Sequence, residues 1–100
     1  MTETTVCGEA ERVSVARRLL ESGVSELGSG RASDALRYFD KAISVYPDAP
    51  EAYYARATAY MQRGDLLSAA EACRIELFRR PDHCGARRLL ERIEDVMHTT

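Results

Sequence analysis

Apolar residues return every three or four positions along most of the chain. Between Val13 and Leu27 they stand at Val13, Ala16, Leu19, Leu20, Val24 and Leu27 with polar residues between them, which predicts an amphipathic helix. Ala35, Leu36, Phe39, Ala42 and Ile43 form a second stripe, predicting a helix over Ala32–Val45. The same period predicts helices over Pro50–Gln62, Leu66–Arg79 and Cys84–Met97, and no segment reads as a strand. Five helices joined by very short connections predict an all-α domain in which consecutive helices run antiparallel.

The breaks between stripes have a chemistry of their own. The segment GSGR, Gly28 to Arg31, carries two glycines that tolerate a positive φ, so the chain can turn sharply there. Pro47 ends the second helix, because the residue before a proline is pushed out of the α region. Asp48 is then expected to cap the third helix, with Pro50 and Glu51 in its first turn. Pro81 and Asp82 repeat the stop and the cap before the fifth helix.

This punctuation recurs at one spacing. Gly30 and Gly64, Ala35 and Ala69, Pro47 and Pro81, and Asp48 and Asp82 are each 34 residues apart. With Tyr53, Ala57, Tyr60, Ala69, Cys73 and Pro81 in one unit and Leu19, Gly23, Ala35, Phe39, Ala42 and Pro47 in the other, the chain resembles the tetratricopeptide repeat (TPR) family. That family's unit is a 34-residue helix–turn–helix patterned W-x2-L-G-x2-Y, then A-x3-F, then P. The resemblance implies a TPR solenoid of five antiparallel helices. Residues 1–12 are expected to be a mobile tail and 13–98 a single domain, with repeats at about 16–49 and 50–83 and a capping helix at 84–97. Ser22, Glu26, Arg56 and Glu76 depart from the family's residue types.

In stacked TPR units the first helix of each pair lines a concave face. The resemblance places Arg17, Leu20, Val24 and Leu27 there, followed by Glu51, Tyr54, Thr58, Met61 and Gln62, and then Arg88 and Arg92. These eleven residues are the candidate partner-binding groove. Leu20, Val24, Ala55 and Leu89 stand where chaperone-binding TPR modules carry a clamp for a terminal carboxylate, so capture of such a tail is disfavoured. Leucine, tyrosine and methionine instead suit the apolar face of an amphipathic segment. The implied function is that of an adaptor, co-chaperone or assembly factor for a protein or peptide partner. The alternative is a structural subunit whose groove is filled by a second copy, since two repeats bury little apolar surface and a homodimer would bury more.

Composition narrows the remaining classes. A net charge of −2 gives no global attraction to nucleic acid. The cluster Arg74, Arg79, Arg80, Arg87, Arg88 and Arg92 keeps nucleic-acid binding as a second alternative. No run of about 18 apolar residues is available to span a bilayer, and the acidic start is not a targeting peptide, so a cytoplasmic location is expected. Cys7, Cys73 and Cys84 lack a C-x-x-C pair and read as reduced thiols. A metal site from Cys73, His83, Cys84 and His98 would need a second chain to bring His98 close, and no cofactor is expected. No phosphate loop, H-E-x-x-H or nucleophile elbow is present, so no enzyme is expected.

Overall fold

The computed structural model describes residues 8–99, which form five helices and, among the described residues, no strand. They are α1 (Gly8–Gly28), α2 (Ala32–Val45), α3 (Ala52–Arg63), α4 (Leu66–Arg79) and α5 (Cys84–Thr99). Each helix packs on the next, and α1 also reaches α3. The described residues are therefore a stack of helix pairs, α1 with α2 and α3 with α4, with α5 packed on α4.

The pairs turn over in the same way. Gly30 has φ 80° and Gly64 φ 82°, a conformation that costs glycine little. The amide of Arg31 donates back to the Glu26 carbonyl at 2.9 Å, and that of Asp65 to the Tyr60 carbonyl at 2.9 Å. These bonds satisfy carbonyls that the helix ends would leave open. Asp65 then caps α4, its carboxylate accepting from the Ser68 amide at 3.2 Å.

Three expectations at the helix starts are corrected. First, α1 begins at Gly8 rather than Val13, so residues 8–12 of the expected tail are helical, while 1–7 lie outside the described residues. Glu9 and Glu11 suit the positive end of the helix dipole, and the Tyr46 hydroxyl donates to the Glu9 carboxylate at 3.0 Å. That bond ties the first turn to the end of α2. Second, Asp48 does not cap α3, which starts at Ala52 behind a left-handed Glu51 with φ 71°. The Asp48 carboxylate lies instead 2.8 Å from Arg79, and its carbonyl accepts from Arg80 at 2.9 Å. At the matching joint His83, not Asp82, caps α5, its Nδ1 accepting from the Ala86 amide at 3.0 Å.

Small residues let the paired helices approach. A Cβ placed on Gly23 would lie 2.3 Å from Cε1 of the fully buried Phe39, so this contact exists only with glycine. In the second pair Ala57 and Cys73 hold the matching positions, both fully buried. Tyr60 packs against both the Phe39 cluster and the Cys73 cluster and joins them into one core. Burial pushes the Cys73 thiol up to about 11, so the side chain behaves as an apolar filler at neutral pH.

Glu76 and Arg56 explain two of the departures from the family pattern. The Glu76 side chain is fully buried; one carboxylate oxygen lies 3.4 Å from Arg80 and the other has no hydrogen-bond partner. Arg56 on α3 lies 3.2 Å from Asp40 on α2, donates to the Tyr60 hydroxyl at 3.1 Å, and stands over the Tyr53 and Tyr60 rings. Where the family pattern has an apolar side chain, a cation thus links the two repeats.

Candidate functional site

The candidate groove is built from the first helix of each pair, and its members divide by how much of each is free. On α1, Leu20 and Leu27 are half-buried and pack on the Phe39 cluster, whereas Val24 is 56% exposed and Arg17 lies open. Leu27 also accepts a bond at its carbonyl from Gln62 at 3.1 Å, which brings the ends of α1 and α3 together. On α3, Tyr54, Thr58 and Met61 are half-buried. The Thr58 hydroxyl turns back to the Ala55 carbonyl at 2.7 Å, and Met61 packs on the Cys73 cluster.

At the start of α3, Glu51 and Tyr54 are engaged with the next joint. His83 sits 3.0 Å from the Glu51 carboxylate, and its ring lies 4.9 Å from that of Tyr54 at a tilt of 43°. Because Nδ1 of His83 accepts from Ala86, the neutral ring donates from Nε2 to Glu51. His83 thus holds Glu51 with one ring nitrogen and caps α5 with the other. Among the described residues, no group of three or more His, Cys, Asp or Glu is placed to hold a metal ion.

Of the six arginines near the C-terminus, four are occupied within the chain. Arg74 pairs with Glu94, Arg79 with Asp48, and Arg80 with Asp48 and Glu76, while Arg87 donates to the Pro81 carbonyl at 2.7 Å. Arg88 and Arg92 remain exposed on α5, one turn apart, and among the described residues neither enters an ion pair. The cluster that suggested a polyanion surface is mostly a set of internal ties.

The sequence reading missed a small apolar cavity of about 210 Å³ beside Arg17 and Leu20. Val13 and Ala16 of α1 form one wall, and Tyr46, Ala49 and Pro50 of the first joint form the other. Its signal was divided between a helix stripe and a proline-marked loop. Only the docking of α1 against that loop unites them.

Paired antiparallel helices and a 34-residue period in both turns define a helical-repeat protein of the helix–turn–helix type. Residues 20–83 match the Tetratricopeptide repeat family, and the chain belongs to that family. No curated protein matches the chain closely enough to serve as a relative. TPR repeats generally mediate protein–protein interaction, and family members are typically non-enzymatic modules. No helix among the described residues is long and apolar enough to cross a membrane.

Proposed function

We propose that this chain is a non-enzymatic adaptor or assembly factor that binds an apolar or amphipathic polypeptide segment along the first helices of its pairs. The observation that carries this reading is the accessible apolar surface of the first helices: Val24 stands open and Leu20 half-buried on α1, and Tyr54 and Met61 are half-buried on α3. The cavity next to Leu20 extends that surface to the first joint and offers a seat for one apolar side chain. An amphipathic helix would lay its apolar face on this surface, its polar face remaining in water. Arg17, Arg88 and Arg92 would border it as exposed cations that enter no ion pair among the described residues.

The test is co-purification from the native source with the wild-type chain and with Tyr54→Asp/Met61→Asp. A polypeptide held by the wild type and lost from the variant, with helicity unchanged by circular dichroism, is the expected result. Equal retention by both would remove the groove from consideration. Retention that falls steeply with added salt and releases nucleic acid would favour the polyanion alternative instead.

A further inference from the structure

The two most exposed large apolar side chains of the described residues lie away from the groove, on one helix. Phe78 is 88% exposed and Leu67 is 71% exposed, and both belong to α4. Together with Glu71 and Arg74 they follow the spacing i, i+4, i+7, i+11, which places all four on one face of the helix. A scattered exposed hydrophobe needs no explanation, but two at the ends of one stripe form a pattern.

The sister helix shows that the fold does not require them. Thirty-four residues earlier, α2 carries Ser33, Arg37, Asp40 and Ser44 at the same four places, all exposed and all polar. There the charges are used within the chain, Arg37 beside Asp34 and Asp40 beside Arg56. On α4, Glu71 enters no ion pair among the described residues, and the Arg74–Glu94 contact is a long 3.6 Å between exposed groups.

The arrangement along α4 is self-complementary. Leu67 with Phe78, and Glu71 with Arg74, are centred on the same point, between Ala72 and Cys73. If a second α4 lies antiparallel across the first about a two-fold axis through that point, each Phe78 meets the other copy's Leu67. Each Arg74 then meets the other copy's Glu71. A two-fold interface requires this kind of match, in which one patch supplies both halves of every contact. We propose that the outer face of α4 is a docking surface for a second copy of this chain, paired antiparallel through Leu67, Glu71, Arg74 and Phe78. The surface is separate from the groove, so a dimer of this kind leaves α1 and α3 free.

Sedimentation velocity at concentrations up to about 100 μM reads the association directly, because that range exceeds a micromolar Kd. The wild type is expected to dimerise, and Phe78→Asp or Leu67→Asp to weaken the dimer about tenfold or more with unchanged helicity. Glu71→Arg and Arg74→Glu should each fail to self-associate, yet form a heterodimer when mixed, because the mixture restores two opposite-charge pairs. A monomeric wild type would overturn the proposal, and so would a mixture that stays monomeric. Tyr54→Asp/Met61→Asp should leave the dimer intact; its loss in that variant would move self-association to the groove and end this assignment.

Discussion

The two helix pairs fill the same space from opposite sides. In the first, the bulk comes from the second helix: Phe39 fills the contact, and Gly23 opposite it has no side chain. In the second, Ala57 and Cys73 stand where glycine and phenylalanine stood, and a large group packed on the contact comes from the first helix as Tyr60. Repeat identity therefore lies in summed volume and spacing, and single positions can trade size as long as their partners compensate. A second difference follows the same positions outward. Ala42 closes the first pair with a methyl group, and Glu76 closes the second with a buried carboxylate.

Truncating each filler breaks the comparison most directly. Phe39→Ala is expected to cost about 3–5 kcal/mol in urea unfolding, because the ring is wholly buried and its neighbours are held by other contacts. Cys73→Ala, 34 residues on, removes a single sulfur and is expected to cost about 1 kcal/mol. Comparable losses at the two sites would mean that the second pair depends on its second helix as much as the first does.

A smaller effect, of opposite sign, is expected at the Ala42–Glu76 contrast. Glu76→Gln keeps the shape but removes a charge whose second oxygen has no partner, and Arg80 retains Asp48. Stability is expected to rise by about 1 kcal/mol, read as a Tm increase of several degrees. A clear loss would show that the carboxylate–Arg80 pair contributes more than its burial costs.

A further effect sharpens the comparison by pH. Burial raises the Cys73 thiol from 9.0 to about 11, so the unfolded chain gives up this proton more readily than the folded one. The contribution of Cys73 is therefore complete below about pH 9 and is lost as pH rises toward 11. Cys73→Ala should flatten that part of the alkaline decline, leaving the part due to Tyr46, whose hydroxyl the bond to Glu9 holds above the usual phenol range. Parallel stability–pH curves for wild type and variant would contradict this account.

Most of the architecture was legible because it rests on local chemistry repeated at one period. The bounds of α2 and α4 agree with their apolar stripes, and the turn glycines fall where the pattern puts them. What escaped depended on partners more than thirty residues away. The first turn of α1 is held by a bond from Tyr46, and Asp48 is drawn from the cap to Arg79 and Arg80. His83 is a cap that residue preferences do not anticipate, and it works because Glu51 fixes the other side of its ring. For the proposed groove, the family resemblance named the helices and residues, but neither the tie of Gln62 to Leu27 nor the cavity beside Leu20 follows from the sequence pattern.

The two joints also bear on how such an array can grow. Glu51 and Gly85 occupy matching places 34 residues apart, yet their roles are exclusive. Glu51 must carry a side chain to reach His83, whereas a Cβ on Gly85 would press on the Tyr54 ring at 3.2 Å and on His83 at 3.1 Å. Copying residues 50–83 in tandem would set a glutamate where Gly85 now faces Tyr54. Duplication alone would thus require the Tyr54 and His83 side chains to give by a few tenths of an ångström at the seam.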